Sequence, residues 1–133
     1  MSEIKVDTLT GKTSAGDITV TDGSATMQLQ QGLAKAWVNF DGTGTVAGRD
    51  SHNLASLVDN GTGYYSQNYT SAFASTNYAG AANANENAAN GINRCMAIYP
   101  NTSSKTNSSV WATSNTTQYD EDFLFLIMHG DLA

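Results

Sequence analysis

One cysteine, one proline and few charges set the first limits on this chain of 133 residues. A lone Cys95 cannot close a disulfide within the chain, so the fold does not depend on an oxidising compartment. Six Lys and Arg are too few to neutralise a run of phosphates, which argues against a nucleic-acid partner and an anionic membrane surface. Charged residues make up 14% of the chain with a net charge of −6, against about 25% charged in ordinary soluble domains. The longest apolar run, residues 123–128, is far short of the roughly 20 residues that span a bilayer, so no membrane insertion is expected. The first residues lack a basic segment followed by an apolar stretch, so no secretory signal is expected either.

Small polar residues take the place of charge. Asn, Ser, Thr and 12 Gly favour turns and strands over helices, while 40% apolar residues suffice for a core. The expectation is an all-β protein of about one domain's length.

Residues 1–34 read as an extended anchor or trimerisation segment. Three apolar pairs, Ile4 and Val6, Ile18 and Val20, Met27 and Leu29, mark very short strands separated by the turns at 10–17 and 22–24. Such scraps expose more apolar edge than they can bury alone, which implies that a partner chain or the main domain covers them. A short helix or turn is expected at 28–35.

Residues 35–133 read as a head domain, a small antiparallel β-sandwich or barrel of about seven strands. A strand is expected at 36–40. A hairpin with arms 51–59 and 64–70 is expected around Asn60-Gly61-Thr62-Gly63, whose Asn and Gly supply positive φ. Further strands are expected at 77–81, 94–99, 109–113 and 122–129. The segment 81–91, rich in Ala and Asn, reads as a loop.

Chemistry-bearing motifs are sparse. Gly11-Lys12-Thr13 lacks the earlier glycine of a phosphate loop, because Val6 stands there. His52, His129 and Cys95 show no paired metal-ligand spacing; a metal on a threefold axis, held by three copies of one histidine or of the acid cluster, is left open. No Gly-x-Ser-x-Gly elbow positions a nucleophile, and Asp120-Glu121-Asp122 reads as a solvated turn guarding the apolar strand after it. No cofactor and no enzymatic activity are expected. The five Asn-x-Ser/Thr sequons, beginning at Asn60, Asn68, Asn101, Asn107 and Asn115, are expected to stay bare. Binding groups are expected on two polar loops, 79–93 and 101–108, carrying Asn83, Asn85, Asn87, Asn90 and Asn101, with Tyr78 and Tyr99 near their ends as stacking faces.

The opening residues 2–9, Ser-Glu-Ile-Lys-Val-Asp-Thr-Leu, resemble the start of small fibre proteins of tailed bacteriophages, especially marine ones. The stretch 31–47, with Lys35-Ala36-Trp37-Val38-Asn39-Phe40-Asp41-Gly42-Thr43-Gly44 at its centre, is similar to the beginning of that family's head domain, as are Arg49-Asp50-Ser51 and residues 59–63. The resemblance covers about the first half of the chain. It implies a trimeric virion structural protein without catalytic residues, assembled in the host cytoplasm, whose partners are other virion proteins of the tail adaptor or capsid and a host surface glycan. The expected function is a tail fibre contributing to host attachment. Capsid decoration, a head fibre and a stand-alone carbohydrate-binding β module are the alternatives.

Overall fold

The computed structural model describes residues 3–12, 18–85, 94–114 and 116–133. The chain divides into two compact units, Met1–Leu33 and Ala34–Ala133.

In the first unit β1 (Thr19–Asp22) and β2 (Ala25–Gln28) form an antiparallel hairpin, and α1 (Leu29–Gly32) follows as a single turn. Gly23 closes the hairpin with a φ of 61°, which an L side chain adopts only with strain. Two expectations are corrected here. Ile4 and Val6 lie in a stretch without regular secondary structure, with no strand beside them among the described residues to pair with. Leu29 opens the helical turn rather than extending β2.

In the second unit the described residues form eight strands: β3 (Ala36–Asp41), β4 (Ala47–His52), β5 (Leu54–Asp59), β6 (Tyr64–Tyr69), β7 (Ala79–Asn85), β8 (Arg94–Thr102), β9 (Lys105–Ala112) and β10 (Phe123–His129). They make two four-stranded antiparallel sheets, ordered β4-β3-β10-β7 and β5-β6-β9-β8, packed as a sandwich. The first sheet follows strict alternation. Ala36, Val38 and Phe40 of β3 and Leu124, Leu126 and Met128 of β10 point inward, so Trp37, Asn39, Phe125 and Ile127 point out.

The second sheet supplies a more polar half of the core. Tyr65, Gln67 and Tyr69 of β6 face inward with Thr106, Ser108 and Val110 of β9, and two side-chain contacts join the strands there. Gln67 Nε2 donates to Ser108 Oγ at 2.8 Å, and the Tyr69 hydroxyl lies 2.6 Å from Thr106 Oγ1. Such pairing lets Ser, Thr and Gln occupy positions that would otherwise demand aliphatic side chains. Ring contacts fill the rest: Phe40 meets Tyr65 edge-on at 5.2 Å, and Phe73 stacks on Tyr78 at 4.3 Å.

The expected hairpin is present as β5 and β6. Asn60 N–H donates to Tyr64 O and Tyr64 N–H to Gly61 O, while Gly63 sits at φ 63° with Val110 N–H bonded to its carbonyl. Residues 51 and 52, expected in its first arm, belong instead to β4, a strand not anticipated. At the corner between β4 and β5, Asn53 adopts a φ of 57°, and its amide donates to Lys35 O and Ser71 O and accepts from Ser71 N–H. Asn is the non-glycine residue best suited to that conformation, because its short side chain bonds locally.

The expected loop 101–108 and the described part of the expected loop 79–93 are corrected, residues 86–93 lying outside the described residues. Residues 79–85 form β7 in full register with β10, from Ala79 opposite His129 to Asn85 opposite Phe123. Residues 101–108 belong to the hairpin of β8 and β9, with only a tight turn at 103–104. Small Ala and Asn side chains pair as well as larger ones when the neighbouring strand supplies the apolar surface.

Candidate functional site

The two outer faces of the sandwich differ in chemistry. On the β4-β3-β10-β7 sheet, the register places Trp37 opposite Ile127 and Asn39 opposite Phe125, with Ala81 and Asn83 next across on β7. A groove of about 440 Å³ runs over these residues, and no charged side chain lines it. Ala81 is too small to fill it, while Phe125 and Ile127 remain 37% and 39% exposed. Asn39 carries a buried Oδ1 with no hydrogen-bond partner, an arrangement that costs free energy. Phe123 stacks near Phe125 at the rim, and the Arg49 guanidinium covers its ring at 4.6 Å while pairing with Asp41 at 3.0 Å. Hydrogen bonds from the Thr43 hydroxyl and backbone, then the Arg49 charge, hold the Asp41 carboxyl below its ordinary range.

On the β5-β6-β9-β8 sheet, the outward side chains are polar and aromatic. Trp111 Nε1 donates to Ser109 Oγ at 2.6 Å, and the Tyr99 hydroxyl lies 3.3 Å from the same oxygen. Asn107 donates to the Tyr64 hydroxyl at 2.8 Å and accepts from Ser66 Oγ, which accepts in turn from Asn60. Tyr99 is 48% exposed and Trp111 half-buried.

The acidic segment 120–122 is only in part the solvated turn expected: Asp120 is exposed and Asp122 half-buried, but Glu121 is not. Glu121 is 4% exposed and pairs with Arg94, whose guanidinium lies 3.9 Å from the centre of the Tyr119 ring. Asp120 accepts from the Tyr65 hydroxyl and from Gly63 N–H, both at 2.7 Å. Burial first, then the Asp120 bond and charge, pushes the Tyr65 phenol far above its usual value; burial likewise raises Tyr69 and Tyr78. These contacts stitch the connection before β10 to the β5-β6-β9-β8 sheet, which is a structural task. Among the described residues no three His, Cys, Asp or Glu side chains gather as metal ligands.

Of the residues singled out in the sequence, Asn83 lines the apolar groove, and Asn85 is exposed at the end of β7. Tyr99 and Asn101 are exposed on β8. Asn87 and Asn90 lie outside the described residues. Tyr78 offers no stacking face: it is 6% exposed, and its hydroxyl is spent on Thr102 O, Lys105 O and Thr106 Oγ1. In the first unit Val20 stands opposite Met27, and Ile18 O accepts from Leu29 N–H. Ile4, Val6, Val20 and Met27 are exposed, and Ile18 and Leu29 half-buried. Sequence reasoning missed Trp37, Asn39, Phe125 and Ile127 as a surface; the signal was that in 36–40 and 123–128 the odd positions are apolar as well as the even ones, Asn39 excepted. No protein-family model, no curated protein and no solved structure matches the chain.

Proposed function

We propose that the chain is a non-enzymatic virion structural protein, a homotrimeric phage tail fibre whose β-sandwich head contributes to host attachment. The observation that carries this reading is the uncharged apolar groove over Trp37, Phe125 and Ile127, which water leaves unfavourably exposed in a single chain. Packing between copies would cover it. The exposed Ile4, Val6, Val20 and Met27 of the first unit add a second surface that association would bury. The resemblance of residues 31–47 to phage fibre heads supports the same reading and supplies the virion as its setting. A capsid-decorating or head-fibre role would use the same surfaces with a different partner protein, which cross-linking in intact particles would identify.

The test is the mass in solution by light scattering. The protein should run at three times its 14.0 kDa chain mass. Phe125→Ser should shift it toward smaller species while leaving the far-ultraviolet spectrum of a β protein intact. A monomer at every concentration would refute the assembly. A stand-alone carbohydrate-binding module is the second reading, favoured by Tyr64, Tyr99 and Trp111 on the opposite face; it leaves the apolar groove without a role.

A further inference from the structure

We propose that the outer face of the β5-β6-β9-β8 sheet is a binding platform for neutral polysaccharide, with Tyr99 and Trp111 as the stacking rings. This rests on the attachment reading and names its ligand class.

The platform is built in the strand register. Tyr99 stands opposite Asn107, Ala97 opposite Ser109 and Cys95 opposite Trp111, so two small residues occupy the centre between two rings. Both rings reach back to that centre, Trp111 Nε1 at 2.6 Å and the Tyr99 hydroxyl at 3.3 Å from Ser109 Oγ. Ser109 is consequently only 2% exposed although it points outward. Rings tethered in this way lose little rotational freedom when a ligand lies on them, which is the condition for useful affinity from a flat surface.

The polar groups beside the rings are ordered as well. The relay from Asn60 through Ser66 to Asn107 fixes the amide, and Asn107 Nδ2 donates to the Tyr64 hydroxyl at 2.8 Å. By accepting there, Tyr64 keeps its own proton to donate outward. A sugar ring matches both features: its C–H face stacks on an aromatic ring and its hydroxyl rim exchanges hydrogen bonds with amide and phenol.

Charge selects among polysaccharides. The outward side chains of β6, β8 and β9 include no carboxylate, guanidinium or imidazole; Lys105, at the start of β9, is their one cation, and it stands at the far end from Trp111. The chain as a whole carries −6, so a carboxylated or sulfated polymer meets net repulsion without a cationic cluster to offset it. A neutral polymer meets neither.

The test uses the full-length protein in affinity electrophoresis through gels holding one polysaccharide each: a soluble β-glucan, a xylan and a galactomannan as neutral probes, alginate and carrageenan as anionic ones. At least one neutral probe should retard the protein, and neither anionic probe should. Tyr99→Ala should weaken the retarding interaction by about tenfold, whereas Tyr99→Phe should stay within about threefold. Tyr99 carries the test because it is the more exposed ring, and matching melting curves check that each variant is folded. Retardation by no neutral probe, equal retardation by the anionic ones, or a folded Tyr99→Ala that binds like the parent overturns the proposal. Light scattering on the same samples separates it from the assembly reading: a trimer that binds no probe overturns the platform alone, and a monomer that binds a neutral probe overturns the assembly alone.

Discussion

Replacing Arg94 with Met should be among the most destabilising changes away from the aliphatic core. The Glu121 and Arg94 side chains are 5% and 16% exposed, and they meet at 2.5 Å. Removing the guanidinium strands a carboxylate between the sheets, a change that typically costs about 3–5 kcal/mol. Loss of the contact over the Tyr119 ring, 3.9 Å from the guanidinium carbon, adds about 0.5–2 kcal/mol. A domain of this size is stable by only about 5–15 kcal/mol, so Arg94→Met should lose a large share of its stability. The partner change separates charge burial from lost packing. Arg94→Met with Glu121→Leu removes the stranded charge and should regain most of the loss, with a coupling energy of about 2–3 kcal/mol. Urea unfolding of the four proteins at one fixed protomer concentration reads this directly, because association contributes to apparent stability. A cost below about 1 kcal/mol for Arg94→Met, or a double variant no more stable than the weaker single one, would refute the argument.

Two further outcomes follow from backbone and titration. Gly63→Ala should cost about 2–4 kcal/mol, because φ is 63° and a Cβ would lie 2.8 Å from Tyr119 N and O and Val110 O; Gly61→Ala, at φ 127° in open space, should cost less, and equal melting losses would contradict this. Tyr65, Tyr69 and Tyr78 all have phenols raised above the ordinary value near 10, so the stability they contribute is complete below about pH 10 and falls as pH rises beyond it. Their tyrosinate absorbance should therefore appear together with loss of the β spectrum, and full ionisation in a still-folded protein would refute the burial.

The sandwich was legible wherever short-range chemistry decides structure. Asn60-Gly61-Thr62-Gly63 supplies the positive φ that a hairpin turn needs, and the short apolar runs at 36–40 and 123–128 announce strands. The strand β4 was not legible, because Gly48, Arg49, Asp50, Ser51 and His52 are all exposed on a sheet edge and show no apolar period. The strand β7 was hidden for a related reason: Ala and Asn carry weak strand preference, and its order comes from β10 beside it. Tyr78 and Glu121 were misread in opposite ways from one cause. Whether a Tyr or a Glu is buried depends on a partner distant in sequence, here Thr106 and Arg94, which no local pattern reveals. The apolar face was visible as composition but not as a surface, since strands apolar on both sides read alike whether a second layer or another molecule covers them.

The central claim is that the apolar sheet face is buried between copies while the polar aromatic face stays open. Each face holds one of the two tryptophans, Trp37 and Trp111, so fluorescence can address them separately. In Trp111→Phe the remaining Trp37 should emit at shorter wavelength and resist acrylamide at assembling concentrations, then shift to longer wavelength and become quenchable on dilution to monomer. In Trp37→Phe the remaining Trp111 should be quenched alike at both concentrations. A Trp37 that is as accessible in the concentrated protein as in the dilute one would contradict the account.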